Sequence, residues 1–390
     1  MTNGVKNKLV LFGAGKIGRS FIGQVFSRSG YEVVFIDINQ QLIDHLNKSG
    51  QYKVIIKSPK GDETIQVTDA RGIHLSETEK VIAELADASI ASLSVGQQGM
   101  SAALPIIARA LILRRQRHDD WPLDIIIAEN MRNADQFISA ELAGLLPAGY
   151  PLDQLVGLVE TSIGKMVPIM SQRDMDEDPL QIFAESYNSL IVAKNGFKNR
   201  VPDVTDLAPK ENIKAWVDRK LFIHNMGHAT AAYLGFQKNP GWVYMEEALN
   251  DPQIYDATRQ TMLQSADLLV ALYPGEFTHH QLEDHIDDLL ERFKNKALGD
   301  TIFRVGCDLY RKLSPEDRLV VPIKTAIKLH LPYNYILKAL IAGISFRACD
   351  EKGMHHPSDQ RFFVEAEKGV NHILQNICKL MISVEPEGRR

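Results

Sequence analysis

Short apolar runs alternate with amphipathic segments along the first half of the chain. The apolar runs are rich in Val, Ile and Leu, as in strands buried on both faces, and they occupy residues 8–12, 31–36, 88–95 and 123–128. The segments with helical periodicity lie at 17–29, 40–49 and 101–113. Two alternating segments, 52–57 and 64–68, flank a Pro- and Gly-containing turn and predict a hairpin. Strands that alternate with helices favour a doubly wound parallel sheet.

The pattern changes after about residue 200. Segment 200–210 contains Pro202 and Pro209 and is interpreted as a linker. Nearly everything from residue 211 onward has helical periodicity, and helices are predicted at 211–235, 252–273, 278–294, 315–330, 333–348 and 358–382. The predicted fold class is α/β, with a Rossmann-type doubly wound parallel sheet in residues 1–205 and an all-α C-terminal domain in residues 206–390.

A glycine motif follows the first apolar run directly. Residues 13–18 have the pattern GxGxxG, and a predicted helix begins at once. Gly13 permits a tight turn, Gly15 lets the backbone approach a pyrophosphate, and Gly18 allows close packing of helix on strand. Lys16 and Ile17 lie where the free N–H groups of the helix would meet phosphates. The context of strand, turn and helix predicts a dinucleotide site.

The second predicted strand ends at Asp37, 19 residues after Gly18. A carboxylate there can accept hydrogen bonds from the hydroxyl groups of an adenosine ribose, and its charge would repel a 2′-phosphate. Ile38 and Asn39 follow, so no Arg is placed to accommodate that phosphate. The predicted cofactor is therefore NAD rather than NADP.

The composition excludes several other classes of protein. The chain has 390 residues, 45% hydrophobic and 24% charged, with a formal net charge of −5 and no long basic run. No nucleic-acid partner is expected, because phosphate neutralisation needs a concentrated basic surface. No apolar run approaches the length of a membrane span, and the N-terminus does not have the pattern of a signal peptide. Three isolated cysteines suggest reduced core thiols in a cytoplasmic protein, and no metal site is predicted.

A polar cluster lies at the start of the helical region. Lys220, His224, Asn225 and His228 fall within an arc of about 140° on a helix whose other residues are largely apolar. One interpretation is an ordinary amphipathic helix with a solvated polar stripe. The other is metal-free hydride-transfer chemistry. A partly desolvated Lys has a lowered pKa and can accept the alcohol proton, and an amide and an imidazole can support the developing alkoxide.

Four cations follow within 15 positions, namely Arg304, Arg311, Lys312 and Arg318. Such a group suits a phosphorylated substrate, because the Arg fork matches phosphate oxygens. The alternative is a solvated basic face that is balanced by nearby acidic residues.

These segments together resemble the polyol-specific long-chain dehydrogenases, the mannitol dehydrogenase family, over essentially the whole chain. The segment FGAGKIGRSFIG at 12–23 is similar to the family's opening motif, and Ala128-Glu-Asn130-Met131 resembles its second motif. The most specific stretch is 219–229, which matches the family's Lys-x4-Asn-x2-His. Segments 300–306 and 311–319 resemble a later motif.

The resemblance implies roles for individual residues. Lys220 would be the general base, and Asn130 and Asn225 would hold the reacting oxygen. His228 would bind a neighbouring substrate hydroxyl, and Arg304 and Lys312 would face the substrate. Val95 and Gly96 lie in a turn that the family uses beside its cofactor. The implied reaction is the reversible oxidation of D-mannitol 1-phosphate to D-fructose 6-phosphate with NAD.

The chain departs from the family pattern at a few positions. Lys16 and Ser20 replace the usual Asn and Gly, and Gly164-Lys165 replaces an Asp–Arg pair. These changes leave the exact substrate open. The alternatives are a dehydrogenase of an unphosphorylated hexitol or a sugar acid, of the mannitol 2-dehydrogenase or altronate/tagaturonate type, and a non-catalytic NAD-binding sensor.

Overall fold

The computed structural model describes residues 7–118, 120–129 and 131–382. The chain divides into two compact units, Met1–Val217 (unit 1) and Asp218–Arg390 (unit 2). The division falls within the helix Ile213–Arg219. The earlier boundary at 205/206 stays a prediction.

Unit 1 contains eleven strands among its described residues. They are β1 (Lys8–Phe12), β2 (Glu32–Asp37), β3 (Gln51–Ile56), β4 (Glu63–Thr68), β5 (Ala70–His74), β6 (Ile90–Leu93), β7 (Leu123–Ile127), β8 (Val156–Ser162), β9 (Ile182–Ala184), β10 (Leu190–Ala193) and β11 (Leu207–Lys210). Eight of them form one sheet in the order β11-β10-β8-β7-β6-β1-β2-β5. Every pair in this sheet is parallel except β8 with β10.

The order of the six strands β5-β2-β1-β6-β7-β8 is that of a Rossmann sheet, in which the chain direction across the sheet reverses between β1 and β6. Alternate residues of each strand enter different apolar cores. Leu9, Leu11 and Phe35 pack on one face, whereas Val10 and Ile36 pack on the other. Burial on both faces explains why these strands are continuous apolar runs.

Helices cover both faces of this sheet or connect its strands. In unit 1 they are a π-helical segment at Gly18–Gly23, α-helices at Gln24–Arg28, Gln40–Ser49, Thr78–Ala86, Gly96–Arg117, Ala134–Leu145, Leu152–Leu155, Gln172–Glu177 and Ile213–Arg219, and a 3₁₀ turn at Lys194–Gly196. The predicted hairpin is confirmed as the antiparallel pair β3 and β4. It belongs to a separate three-stranded sheet, in which β9 is parallel to β3.

Unit 2 is helical in its described part, apart from an isolated bridge between Tyr244 and Thr301. It contains a π-helical segment at Lys220–Asn225, α-helices at Met226–Lys238, Met245–Asn250, Pro252–Leu272, His279–Phe293, Ile302–Gly306, Leu309–Lys312, Val320–Leu329, Asn334–Ile344, Asp359–Ala366 and Val370–Asn376, and a 3₁₀ turn at Lys296–Leu298. The predicted fold class, a Rossmann-type sheet followed by an all-helical region, is confirmed.

Two local predictions were wrong. Part of the segment interpreted as a linker forms β11, which pairs with β10 at the edge of the sheet. Pro209 is tolerated there because an edge strand has N–H groups that need no partner. The single helix predicted at 358–382 is two helices, since Gly369 between them has a φ of +101°.

The three cysteines are all unpaired thiols, but only two of them fit the prediction of core positions. Cys307 and Cys378 are buried, whereas Cys349 is exposed and contacts His355. None of the helices in the described ranges combines the length and the apolar character that a membrane crossing requires.

Candidate active site

The glycine loop, residues 13–18, connects β1 to the π-helical segment at the point where the strand order reverses. Gly13 has a φ of +94°, and its N–H donates to the carbonyl of Ile36 at 2.8 Å. A Cβ at Gly13 would overlap the carbonyl oxygen of Ser94, and a Cβ at Gly18 would overlap that of Gly13. A Cβ at Gly15 would meet nothing within 4 Å. Gly13 and Gly18 are therefore required by packing, whereas Gly15 keeps an open face of backbone.

Asp37 is held against this loop by its own carboxylate. One oxygen accepts the N–H of Ala14 at 2.7 Å, and the other accepts the N–H of Asn39 at 2.9 Å. The carboxylate is thus oriented at the end of β2, beside the turn that would contact a dinucleotide. Arg19, which is nearly buried, ties the same loop from the other side, since it donates to the carbonyls of Ala14 and Leu180.

A cavity of about 750 Å³ opens beside the glycine loop. Its lining includes Gly15, Lys16, Arg19, Asn39 and His45, and also the carboxylate of Asp176 and the apolar side chains of Met170 and Met175. These polar and cationic groups next to an open glycine backbone suit an anionic, hydroxyl-rich ligand. The glycine loop therefore fits the phosphates of a dinucleotide, and Asp37, which does not line this cavity, is held beside the loop.

The predicted cofactor residues Val95 and Gly96 follow β6, across the reversal point from β1. Their N–H groups donate to one carboxylate oxygen of Glu129, at 2.7 and 2.9 Å. Burial raises the pKa of Glu129, although these two hydrogen bonds act in the opposite direction. Glu129 was not among the predicted site residues, although it lies in the motif Ala128-Glu-Asn130-Met131, two residues after the end of β7.

In unit 2 the predicted catalytic residues lie on the lysine helix, defined here as residues 218–238. Its π-helical segment runs from Lys220 to Asn225. A π-turn is closed by hydrogen bonds between residues five apart, so Lys220 and Asn225 come nearly into line along one side of the helix. An ideal α-helix would separate them more widely. Such turns are frequent at functional sites.

Small residues fix how the lysine helix packs. A Cβ at Gly227 would overlap the side chain of Met262, and a Cβ at Gly235 would overlap Ala248. The helix therefore lies close against the helices Pro252–Leu272 and Met245–Asn250, which holds the face that carries His228 in a defined position.

Lys220 is half-buried and has a pKa lowered to about 8. Loss of hydration is the main cause, the positive charge of Arg318 adds to it, and Asp317 opposes it. A lysine with this pKa is neutral in about half of the molecules at pH 8. It can then accept a proton, as a general base must.

His228 lies one turn beyond Asn225, with a side chain that is 14% exposed. Its ring stacks on Phe293 with centroids 4.4 Å apart and planes inclined by 10°. Its Nε2 lies 3.4 Å from Oδ2 of Asp300. Burial, aided by Arg304, Lys312 and other cations, lowers the pKa of His228 well below its ordinary value. The imidazole is therefore neutral at physiological pH.

His224, which the sequence analysis placed in the same polar cluster, is buried on the lysine helix. Its ring contacts the edge of Phe293 with centroids 5.4 Å apart. Burial lowers the pKa of His224 as well, with a contribution from Arg292.

Three of the four predicted substrate cations act electrostatically on His228. Arg304, Lys312 and Arg318 each lower the pKa of His228. Lys312 is buried, donates to the carbonyl of Val305 at 2.7 Å and has its own pKa lowered to about 8, mainly by burial. Arg311 is different: it is exposed and pairs with Asp308 and Asp317.

Two acidic residues that the prediction did not include hold these cations. Asp300 is 5% exposed and pairs with Arg304, four residues along the chain. Asp317 pairs with both Arg311 and Arg318. The opposite charges at positions 300 and 304 were a signal for the first pair. Asn130, the remaining predicted catalytic residue, lies outside the described residues.

The departure at Gly164-Lys165 has a defined environment in unit 1. Lys165 is buried and donates to the carbonyl of Tyr187 at 2.8 Å and to Oδ1 of Asn188 at 2.9 Å. Its ammonium also lies 5.2 Å from the ring centre of Phe21. Lys165 thus ties the segment after β8 to the segment before β10. Within the described residues, no group of three or more His, Cys, Asp and Glu side chains is arranged to hold a metal ion.

Two family models match the chain. The model for the mannitol dehydrogenase Rossmann domain covers residues 7–206, and that for the mannitol dehydrogenase C-terminal domain covers residues 212–380. The chain belongs to the mannitol dehydrogenase family of oxidoreductases. Membership was predicted from the motifs at 12–23 and 219–229, and it is confirmed.

Relatives within this family include a mannitol-1-phosphate 5-dehydrogenase from Buchnera aphidicola subsp. Acyrthosiphon pisum. It is 31% identical over 343 residues, which are 87% of this chain and 86% of the relative. Mannitol 2-dehydrogenase from Pseudomonas fluorescens, known as a ternary complex with NAD and D-mannitol, shares the fold with a TM-score of 0.71 and 18% identity over 92% of this chain and 83% of that one. A D-sorbitol dehydrogenase matches with a TM-score of 0.74 and 16% identity, over 91% and 83% of the two chains.

Proposed function

We propose that this polyol dehydrogenase interconverts D-mannitol 1-phosphate and D-fructose 6-phosphate, with NAD as the cofactor. The observation that carries the proposal is the setting of the lysine helix: the pKa of Lys220 is lowered to about 8, and His228 on the same helix is under the positive charges of Arg304, Lys312 and Arg318. The lowered pKa supplies a base for alcohol oxidation. The surplus of positive charge favours a substrate that carries a negative one.

The cofactor would be held by unit 1. Gly15 offers open backbone to the pyrophosphate, and the oriented carboxylate of Asp37 would accept hydrogen bonds from the adenosine ribose. When bound, NAD supplies the acceptor for the two electrons and the hydrogen that leave the alcohol carbon. The N–H groups of Val95 and Gly96 are bound to Glu129, so a cofactor role for them would go through that carboxylate.

The alcohol would be activated by the lysine helix. Neutral Lys220 takes the hydroxyl proton and becomes an ammonium, while the amide of Asn225 donates to the same oxygen as negative charge develops on it. Asn130 would donate to that oxygen too, as the family resemblance implies. In the reverse direction the ammonium of Lys220 returns the proton to the carbonyl oxygen.

The negative end of the substrate would be met by cations of residues 304–318. The Nε of Arg318 donates to Asp317, and the rest of its guanidinium can bind a phosphate. Lys312 is buried and, like Arg318, lowers the pKa of His228. Arg311 is committed to two carboxylates and is the weakest of the four candidates.

The substrate assignment is tested with NADH and a panel of ketoses. Fructose 6-phosphate, fructose and tagaturonate are compared by the rate of NADH loss. We expect the highest kcat/KM with fructose 6-phosphate. A higher value with fructose contradicts the phosphate assignment, a higher value with tagaturonate identifies a sugar acid as the anion, and NADH binding without turnover of any polyol or ketose identifies a sensor.

The cofactor assignment is tested with Asp37→Ala. We expect the preference for NAD over NADP to fall by about tenfold or more, because the variant lacks the charge that repels a 2′-phosphate. The matched control is Asp44→Ala, on the exposed face of the helix Gln40–Ser49. An unchanged preference in Asp37→Ala would show that the assignment of Asp37 is wrong.

A further inference from the structure

Asp300 is a buried carboxylate with an unusual set of neighbours. Its side chain is 5% exposed, its Oδ2 lies 3.4 Å from Nε2 of His228, and Arg304 pairs with its other oxygen. Within the described part of the chain, neither carboxylate oxygen accepts a backbone N–H. The residue is therefore held in a buried place without the local hydrogen bonds that normally fix a structural carboxylate.

Asp359 shows what such a structural carboxylate looks like in the same unit. It is equally buried, and its two oxygens accept the N–H groups of Asp308 at 3.0 Å and Leu309 at 2.7 Å. These bonds join two segments of unit 2, and the hydroxyl of Ser358 donates a further hydrogen bond to the same carboxylate. Asp300 by comparison presents its Oδ2 to a side chain that belongs to the predicted site.

His228 also has a buried polar atom whose hydrogen bonding is incomplete. Its Nε2 is buried, and among the described residues it has no hydrogen-bond partner, although Asp300 is close. Stacking on Phe293 fixes the plane of the ring. A buried polar atom without a partner costs about 1–3 kcal/mol, so a native structure generally provides one, from a ligand or from water.

A hydroxyl group is suited to both neighbours at once. It has one hydrogen to donate and two lone pairs that accept. It can donate to Oδ2 of Asp300 and accept from Nε2–H of His228, with the guanidinium of Arg304 next to it. An amine, which would bring a positive charge beside Arg304 and Lys312, suits this place less well.

We propose that Asp300 and His228 form a donor–acceptor pair that binds one hydroxyl group of the substrate, so that Asp300 is a specificity-determining residue in direct contact with it. The inference rests on the proposed function in requiring a polyol or its ketose, but it does not depend on the phosphate.

The test measures kcat/KM for the ketose that the wild-type protein reduces fastest and for analogues that each lack one hydroxyl group. With the wild type, we expect kcat/KM for one analogue to be about tenfold to a hundredfold lower than for the complete ketose. Loss of that hydroxyl group leaves the buried polar groups around it without a partner. In Asp300→Ala and Asp300→Asn, kcat/KM for the complete ketose should fall by a similar factor. Loss of the same hydroxyl then lowers kcat/KM by a smaller factor than in the wild type, because the carboxylate no longer accepts from that hydroxyl and only His228 remains to bind it.

The control is Asp359→Asn, which should lower the unfolding temperature and leave discrimination against every analogue unchanged. NADH affinity and unfolding temperature are measured for each variant, and Asp300→Asn, which keeps the shape of the side chain, serves if Asp300→Ala does not fold. Equal discrimination by wild type and Asp300→Asn against every analogue overturns the inference while the proposed function stands. Absence of turnover by the wild type on any polyol or ketose overturns both.

Discussion

The glycine loop and the lysine helix both adjoin a π-helical segment, yet the two regions build a site in different ways. In the glycine loop the functional groups are mostly backbone N–H groups within residues 13–18, together with one carboxylate that the loop itself orients. In the lysine helix they are side chains, and their properties depend on residues 293, 300–304 and 312–318. A backbone site can be encoded by a short motif, whereas a side-chain site needs a whole folded unit around it.

The two regions also differ in what the fold must tolerate. Polar groups of the glycine loop are satisfied locally, for instance by Asp37. Lys220 and Lys312 are desolvated cations, and the pKa of each is lowered to about 8. The free energy that this desolvation costs is the origin of the base in the proposed mechanism. The lysine helix should therefore show a conflict between stability and activity that the glycine loop lacks.

The largest expected effect is on turnover in Lys220→Met. We expect kcat to fall at least about a hundredfold, the usual contribution of a positioned base, with NADH affinity unchanged. The control is Lys324→Met, since that lysine donates to the carbonyl of Pro315 and lies outside the proposed site. Unchanged turnover in Lys220→Met would remove Lys220 from the mechanism.

The same variant should be more stable than the wild type at pH 7. In the wild type the folded-state pKa of Lys220, about 8, lies below the unfolded-state value, so the unfolded chain binds more protons between these two values. Wild-type stability therefore rises as pH increases through that window, and the advantage of Lys220→Met, about 3 kcal/mol below pH 8, shrinks. Urea unfolding at pH 7 and pH 9.5 measures this, and a constant difference would contradict it.

A second effect separates the two kinds of glycine in the glycine loop. Gly18→Ala should lower the unfolding temperature by several degrees, because overpacking costs about 1–3 kcal/mol. Gly15→Ala should leave that temperature unchanged and weaken NADH binding by about tenfold, since its Cβ has room in the protein but would lie where a pyrophosphate approaches. Gly144→Ala, on an open helix face, is the control. Normal NADH affinity in Gly15→Ala would contradict this division.

The smallest effect is a shift in pH dependence. In the proposed mechanism, alcohol oxidation uses neutral Lys220, so kcat/KM should rise with pH and level off above about pH 8. In Arg318→Gln a nearby positive charge is lost, which raises the pKa of Lys220. The midpoint of the rise in kcat/KM should then move to higher pH by about half a pH unit or more. Arg361→Gln is the control, because Arg361 lies over the ring of Tyr310 and is not among the charges that act on Lys220. An unchanged midpoint of the pH profile in Arg318→Gln would show that Arg318 does not act on Lys220.

Much of the fold could be predicted because its signals are local. The helix Gln40–Ser49 was predicted with the bounds that the structure has, since Asn39 caps its start and Gly50 follows its end. The strands β5, β8, β9, β10 and β11 were missed, because edge pairing and contacts between distant segments override weak local preferences. The break at Gly369 was missed because helical periodicity continues on both sides of it.

The sequence by itself determined the backbone parts of this protein: the glycine loop, Asp37 at the end of β2, and the four apolar strands β1, β2, β6 and β7 at the centre of the Rossmann sheet. It also located Lys220, Asn225 and His228 on one helix. Only the tertiary structure decided the partners of that helix, such as Phe293 under His228 and Asp300 beside it. The physical reason is that backbone geometry follows from neighbouring residues, whereas burial, pKa and side-chain pairing depend on segments that meet only in the folded chain.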